Sequence, residues 1–175
     1  MTMIPVLQTN NPLLHQRAKL VIDFRSVEVS QTINNLIDTM RATNLVGMAA
    51  PQIGSSWQIF VTEIRQTKYR NPEEIDKLRV FINPELDWLS TKTMTDFEGC
   101  GSVKEPALFA KITRAESIKV KAFDIEGKQF DFVAHGLLAR VIQHEVDHLH
   151  GIICLEKQEE IITEEQYLTM LKTND

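Results

Sequence analysis

The sequence has 175 residues, of which 43% are hydrophobic and 25% are charged, a composition typical of a globular protein rather than a disordered or fibrous one. That length fits one hydrophobic core, so we predict a single domain over residues 1–175. The formal net charge of -5 argues against direct nucleic-acid binding, which needs a clustered basic face to neutralise phosphates.

No targeting or membrane-spanning segment is predicted. Residues 1–11 lack the basic stretch, apolar run and small-residue cleavage site of a secretory signal. No run of about 18 apolar residues occurs, so no membrane contact is expected. Two cysteines are too few for a disulfide framework. The sequence therefore predicts a cytoplasmic protein that acts on small or peptide-like partners.

The first half of the chain is predicted to contain one amphipathic helix, a structured loop and two strands. Apolar residues at helical spacing predict the helix over 30–42, with Ser30 as its N-cap. Small residues and turn formers predict the loop over 44–54. Residues 57–64 and 78–83 are rich in β-branched and aromatic side chains, and a proline follows each segment. Both segments are predicted to be strands.

The second half is predicted to contain a β-hairpin followed by two helices. Polar and apolar residues alternate over 117–124 and again over 130–134, on either side of a turn. Residues 136–150 have helical periodicity, and Gly151 stands at the C-cap. A peripheral helix is predicted at about 156–173. Because the strands are grouped, we predict an α+β fold in which antiparallel β-sheets pack around the central helix over 136–150.

The strongest chemical signal is the segment 143–148, QHEVDH, on that central helix. Positions i and i+4 of a helix lie one turn apart on one face, so His144 and His148 can direct imidazole nitrogens at one ion. Glu145 is rotated by roughly 100° from His144 and can face a water beside the metal without ligating the ion. The alternative interpretation is a set of polar residues on a solvated face.

The predicted ligands share a helical stripe with apolar residues. Leu137, Val141, His144 and His148 follow i, i+4, i+7, i+11 spacing. This arrangement predicts a metal beside a hydrophobic pocket that would suit a linear apolar side chain, for example methionine. The sequence alone does not select that side chain.

Cys100 is the third candidate ligand. Gly99 and Gly101 flank it, which permits close backbone approach, and we predict a glycine-flanked turn there. One thiolate and two imidazoles leave a coordination position open, as catalytic sites require, whereas structural sites use four ligands. Cys154 lies between two apolar residues and is interpreted as a small buried hydrophobe.

Three segments, taken together and in order, resemble the peptide deformylases. These are GMAAPQ at 47–52, EGCGS at 98–102 and QHEVDHLHG at 143–151. The segments NPLL at 11–14 and RAE at 114–116 are also similar to that family. The resemblance thus extends over nearly the whole chain.

The resemblance implies an enzyme that removes the formyl group from the initiator methionine of nascent polypeptides and releases formate. The implied cofactor is one divalent metal ion, natively Fe²⁺, with Zn²⁺, Ni²⁺ or Co²⁺ also able to bind. The implied partners are formyl-Met ends of nascent chains, with transient ribosome contact.

The resemblance also implies a role for individual residues. The implied metal ligands are Cys100, His144 and His148. Glu145 would be the general acid/base, and the Gln52 side chain and the Gly101 N–H would stabilise the oxyanion. Backbone groups that would bind the substrate as an added strand belong to Val46, Gly47 and Gly99. Independently of the resemblance, the helical stripe predicts that Leu137 and Val141 form the apolar wall of the substrate pocket.

Two departures from the family pattern keep other functions open. Leu45 stands where many members have glycine, and Gly101 stands where many have leucine. These differences motivate an alternative, a weak or inactive deformylase-like protein that binds N-terminal peptides or a partner. A hydrolase for a different N-acyl group is a further alternative. The intact Glu145 favours catalysis, because a purely structural site has no use for a base beside the metal.

Two smaller questions also stay open from the sequence. Arg140 lies one turn before His144 and is equally compatible with a position near the substrate and with a snorkelling surface arginine. Asp147 is expected either to pair with Arg114 or to be solvated.

Overall fold

The computed structural model describes residues 3–104 and 106–173. The helices are α1 (Val27–Ala42), α2 (Gly136–Leu149) and α3 (Glu164–Thr173). The strands are β1 (Gly47–Ala49), β2 (Ile59–Ile64), β3 (Asp76–Leu89), β4 (Thr93–Lys104), β5 (Ala107–Ala115), β6 (Ser117–Phe123), β7 (Gln129–His135) and β8 (Glu160–Thr163). Short 3-10 helices span Pro12–His15, Ala50–Ile53 and Cys154–Glu156. Within this described part of the chain, no helix is long and apolar enough to cross a bilayer.

The strands form two antiparallel sheets on either side of α2. The larger sheet has the order β1-β2-β3-β6-β7 and the smaller has the order β4-β5-β8. Ile142 and Val146 of α2 pack with Phe60 and Phe81 of the larger sheet in one apolar cluster. The rings of Phe60 and Phe81 stack 4.5 Å apart. This arrangement is the predicted α+β fold, with antiparallel sheets packed around a central helix.

The elements with the clearest periodicity are confirmed. Strands β6 and β7 form the predicted hairpin, in which Val120 pairs with Phe132. Helix α2 ends at Leu149, and Gly151 follows with a φ of +76°, a conformation that glycine adopts at low cost. A Cβ at this position would also lie only 2.7 Å from the backbone of His15. Gly151 therefore ends the helix and lets the backbone at His15 pack against the helix end.

Helix α1 begins earlier than predicted. Its N-cap is Ser26, whose side chain accepts a hydrogen bond from the Val29 N–H at 3.2 Å. Ser30, the predicted N-cap, lies inside the first turns, where its N–H donates to the Ser26 carbonyl. Both serines suit a cap chemically, and only the extended backbone of Ser26 distinguishes them.

Strand β3 runs through Pro84, where we predicted an interruption. The pairing with β6 changes register between Ile82 and Glu85, and the intervening Asn83 has a φ of +49°. The Asn83 side chain replaces lost ladder bonds by pairing with the backbone N–H and C=O of Val21, both at 2.8 Å. A bulge accommodates a proline because its missing N–H is not needed there.

The individual strands of the smaller sheet were not predicted. Cys100 lies within the long strand β4 rather than on a turn, and Gly99 of that strand pairs with Phe109 of β5. The predicted helix over 156–173 is also wrong in its first half, because residues 160–163 form β8 and pair with β5. Glycines and charged residues lower the strand propensity of these segments, and pairing with β5 overrides that local preference.

Candidate metal centre and active site

Strand β4 and helix α2 bring three predicted ligands together. One donor atom each from Cys100, His144 and His148 lies within 4.8 Å of the other two. Cys100 Sγ is 3.3 Å from His148 Nε2, and the two imidazole ring centroids are 4.9 Å apart. All three side chains are buried. The i and i+4 positions of the histidines on α2 produce this convergence, as expected for one helical turn.

The donor set fits a divalent transition metal. A thiolate sulfur and two imidazole nitrogens suit iron or zinc, and three ligands leave a position for a reacting group. In the part of the chain that the structure describes, the cluster contains no fourth Cys, His, Asp or Glu donor. Burial lowers the pKa of His148 well below its usual value, and this favours the neutral imidazole that binds a metal. Cys100 differs, since a hydrogen bond with Cys154 and burial raise the pKa of its thiol, and a nearby cation is needed to favour the thiolate.

Glu98 orients the first histidine ligand. The His144 Nδ1–H donates to Glu98 Oε2 at 2.9 Å, which leaves Nε2 as the donor for an ion. Burial opposes a charged imidazole, but the hydrogen bond from His144 to Glu98 and the charges of Glu145 and Glu98 raise the pKa of His144 to about 9. The sequence motif contains Glu98, but sequence reasoning assigned it no role.

Two buried arginines hold Glu98 in its ionised form. Arg114 donates to both carboxylate oxygens of Glu98, at 2.6 and 2.8 Å, and Arg140 donates to Oε1 at 2.7 Å. Burial opposes ionisation of Glu98, but hydrogen bonds from His144 and Arg114 keep its pKa well below the usual range. Arg140 also donates to a backbone carbonyl of β5 and is only 4% exposed, so the alternative of a snorkelling surface arginine is wrong.

Asp147 continues this buried network toward the surface. It accepts a hydrogen bond from Arg114 at 2.8 Å and another from Lys157 at 2.6 Å. The structure thus selects pairing with Arg114 over simple solvation. A chain of charges runs from His144 through Glu98, Arg114 and Asp147 to the half-exposed Lys157.

Glu145 is buried beside the cluster with part of its carboxylate unpaired. Its Oε2 has no hydrogen-bond partner among the described residues. Burial, with the negative charge of Glu98 as a lesser cause, raises the pKa of Glu145 to about 7. A Cβ on Gly47 would lie 2.5 Å from Glu145 Oε1, so only glycine lets β1 approach this carboxylate. Such a group can both accept and return a proton near neutral pH.

The Gln52 side chain points at the same cluster. Its Oε1 accepts the Ala49 N–H at 2.9 Å, which fixes the amide so that Nε2 lies 3.5 Å from Cys100 Sγ and 3.3 Å from Ser102 Oγ. Ser102 also donates its backbone N–H to Cys100 Sγ at 3.4 Å. The sequence analysis assigned no role to Ser102, although Ser102 belongs to the same motif as Cys100.

One cavity of about 70 Å³ is lined by all the predicted site residues except His148. Its lining includes the metal-cluster residues Cys100 and His144, the polar residues Gln52 and Glu145, the strand-edge residues Val46, Gly47, Gly99 and Gly101, and the apolar residues Leu137 and Val141. His148 lies deeper, outside this lining. Leu45, Arg70 and Arg140 also line the cavity. The sequence contained no periodicity or motif that could have identified Arg70.

Two sheet edges meet at this cavity. Strand β1 is the terminal strand of the larger sheet and β4 is the terminal strand of the smaller one. Gly47 belongs to β1 and Gly99 to β4, and both line the cavity. An unpaired strand edge offers backbone N–H and C=O groups to an extended peptide.

Comparison with known proteins identifies a single family. The family model for polypeptide deformylase matches residues 3–163. A peptide deformylase of Chromobacterium violaceum is 40% identical over 157 residues, which cover 90% of this chain and 87% of that protein. A peptide deformylase of Dictyoglomus turgidum is 40% identical over 158 residues, covering 89% and 94% of the two chains.

Solved structures agree with the sequence comparison. A crystal structure of the class I type b peptide deformylase of Acinetobacter baumannii, bound to Met-Ala-Ser, superposes with a TM-score of 0.81 at 32% identity, covering 89% of this chain and 99% of that one. The peptide deformylase of Thermotoga maritima superposes with a TM-score of 0.78, also at 32% identity, covering 91% and 100%.

Proposed function

Because this chain belongs to the polypeptide deformylase family, we propose that it is a metal-dependent hydrolase that removes the formyl group from the initiator methionine of nascent polypeptides. The observation that carries this proposal is the buried donor set of Cys100, His144 and His148 beside Glu145, a carboxylate with one unpaired oxygen. The products would be formate and a free amino terminus.

The metal would be held by Cys100, His144 and His148. A divalent ion supplies a Lewis acid that polarises a carbonyl and lowers the pKa of water toward about 7. We propose Fe²⁺ as the native ion, and Zn²⁺, Ni²⁺ or Co²⁺ as ions that the same sulfur and nitrogen donors can bind. Glu98 would support metal affinity indirectly, because it holds His144 in the tautomer with Nε2 free.

Glu145 would act as the general acid/base. Burial raises its pKa to about 7, so the carboxylate can take a proton from the attacking water and return it to the departing amine. Gly47 lets the backbone of β1 pass directly beside this carboxylate, which would place the scissile amide within its reach.

Gln52 and Gly101 would stabilise the charge that develops on the formyl oxygen. The Gln52 amide is already oriented by the Ala49 N–H, so little reorganisation would accompany the reaction. Because this charge is largest in the transition state, the donors would lower the barrier more than they tighten substrate binding.

The substrate backbone would lie between the two sheet edges. Val46 and Gly47 on one side and Gly99 on the other would offer backbone groups to an extended peptide. The methionine side chain would then pack against Leu137 and Val141 of α2. We propose that the reaction takes place in the cytoplasm with transient ribosome contact, and that residues 1–175 act as one domain.

The decisive experiment compares the iron-loaded protein with Glu145→Ala on formyl-Met peptides. Loss of a positioned general base lowers the rate by roughly 10²- to 10⁴-fold, so formate release should fall by about that factor in the variant. Metal content, measured on the same anaerobic samples, should be unchanged because Glu145 is not among the clustered donors. Glu160→Ala is a matched control, since Glu160 lies on the exposed side of β8. Unchanged turnover in Glu145→Ala would refute the proposed role.

The alternative functions have distinct signatures in the same assay. A non-catalytic peptide-binding protein would bind Met-Ala-Ser and release no formate from formyl-Met peptides under anaerobic iron loading. A hydrolase for another N-acyl group would prefer acetylated over formylated peptides when both are assayed side by side. The buried Glu145 beside the donor cluster favours the deformylase over the first alternative.

A further inference from the structure

A second cavity adjoins the one at the metal cluster. Its volume is about 140 Å³, twice that of the first, and Tyr69, Lys104 and Phe109 are among its lining residues. The two cavities share a wall composed of Leu45, Val46, Arg70, Gly99, Cys100 and Gly101. They are therefore neighbouring compartments of one cleft.

Leu45 is held in this shared wall by its backbone. Its N–H donates to the Met40 carbonyl at the end of α1, at 3.0 Å. Its carbonyl accepts a hydrogen bond from Arg65 Nη2 at 2.9 Å. The preceding residue, Asn44, has a φ of +58°, which turns the chain sharply out of the helix. These contacts hold the backbone of Leu45 and thereby direct its side chain into the cleft.

The tip of Leu45 occupies the space that a side chain at position 101 would need. A Cβ built on Gly101 would lie 2.7 Å from Leu45 Cδ1, well inside van der Waals contact. Leu45 and Gly101 come from different elements, since Leu45 follows α1 and Gly101 belongs to β4. The bulky side chain at position 45 thus matches the missing side chain at position 101.

We propose that Leu45 is a specificity-determining residue, whose side chain lies over Gly101 and separates the cavity for the first side chain of the substrate from the second cavity. This inference rests on the proposed function. In the 70 Å³ cavity on the near side of Leu45 only a slender side chain such as methionine fits, whereas a wide ring would need space that Leu45 occupies. Shortening the Leu45 side chain to that of alanine would join the two cavities and make room for an aromatic ring of the substrate.

The first test measures kcat/KM for formyl-Met-Ala-Ser and formyl-Phe-Ala-Ser. Since a few methylene groups change discrimination by roughly 10- to 200-fold, Leu45→Ala should raise the Phe/Met ratio by about tenfold or more. Leu20→Ala is a matched control, because Leu20 is 58% exposed and lines a different depression. A Phe/Met ratio in Leu45→Ala equal to that of the unmodified protein would overturn the proposal.

The second test asks whether Leu45 and Gly101 are coupled, and it needs no turnover. Gly101→Leu should weaken binding of the tripeptide Met-Ala-Ser by about tenfold or more, because the new side chain collides with Leu45. Adding Leu45→Ala should restore binding to within about threefold of the unmodified protein, a non-additive result that is expected when the two side chains compete for one space. Purely additive losses would overturn the proposal.

Failure of the proposed deformylase function would give a different result from failure of the inference about Leu45. If the iron-loaded protein releases no formate from either peptide, the deformylase assignment is wrong. The relative affinities for Met-Ala-Ser and Phe-Ala-Ser in Leu45→Ala still decide whether Leu45 divides the cleft. A shift toward Phe-Ala-Ser supports the division, and an unchanged preference refutes it.

Discussion

Helix α2 has two faces that are held by opposite kinds of interaction. The apolar face, defined by Ala139, Ile142, Val146 and Leu149, packs against the larger sheet. The polar face, defined by Arg140, His144, Asp147 and His148, meets the smaller sheet through charged groups. Both faces are buried. Only the polar face fixes the orientation of specific atoms, because hydrogen bonds are directional and apolar burial is not.

The polar face of α2 sets the geometry of the site, and the apolar face contributes the hydrophobic stabilisation of the fold. The apolar face removes aromatic and aliphatic surface from water, which favours folding in proportion to the area buried. The polar face costs desolvation energy, and ion pairs and hydrogen bonds to Glu98 offset that cost. We therefore expect substitutions on the apolar face to lower stability alone, and substitutions in the polar network to lower both stability and metal affinity.

The largest effect is expected for Glu98→Ala. Removing this carboxylate leaves Arg114 and Arg140 buried without their main partner, and breaking a buried pair in this way costs about 3–5 kcal/mol. Urea denaturation measures that loss. His144 also loses its orienting acceptor, so metal affinity should fall by roughly 10- to 100-fold, as competition with a chelator would show. Glu160→Ala, at a half-exposed ion pair, should cost less than about 1 kcal/mol. A loss below about 1 kcal/mol in Glu98→Ala would contradict the buried-network argument.

An intermediate effect is expected for Ile142→Val on the apolar face. Removing one methyl group from this fully buried side chain should cost about 1 kcal/mol in the free energy of unfolding. Metal affinity should not change, because Ile142 contacts the larger sheet and not the donor cluster. The same chelator competition checks this point. A drop in affinity comparable to that of Glu98→Ala would show that the two faces are not separable.

The smallest effect is expected for Lys157→Ala at the outer end of the charge network. Lys157 pairs with Asp147 at 2.6 Å, but its side chain is 41% exposed and water screens the pair. The free energy of unfolding should fall by about 0.5 kcal/mol or less, and high salt should reduce the difference further. A loss of several kcal/mol would mean that Asp147 depends on Lys157 as strongly as on Arg114.

The elements that the sequence predicted well are those with a one-sided apolar pattern. Helix α2 and the β6-β7 hairpin each bury one face, so periodicity reveals them. Strand β4 buries a run of polar and glycine residues, including Glu98 and Ser102, and no local pattern distinguishes it from a turn. Strand β8 forms only because β5 offers an edge to pair with.

The candidate site shows the same contrast between local features, which the sequence reveals, and long-range contacts, which it does not. The spacing of His144 and His148 predicts that they share a helix face, since i, i+4 geometry is local. The partners of Glu98 lie 16 residues away at Arg114 and 42 residues away at Arg140, and only the fold brings them together. For the same reason the sequence showed Leu45 and Gly101 only as two separate departures from a family pattern, and their proximity was not predicted.

The two sheet edges at the cleft have a further consequence for the behaviour of the protein in solution. An exposed strand edge can recruit other chains and so promote aggregation. Here β1 is only three residues long, all three are buried, and a 3-10 helix follows directly. The longer edge of β4 is partly covered, because the Ser102 carbonyl accepts a hydrogen bond from the Thr9 N–H at 3.1 Å. Few free backbone groups thus remain at the cleft, enough for a short extended chain, and this limits edge-to-edge pairing between whole molecules.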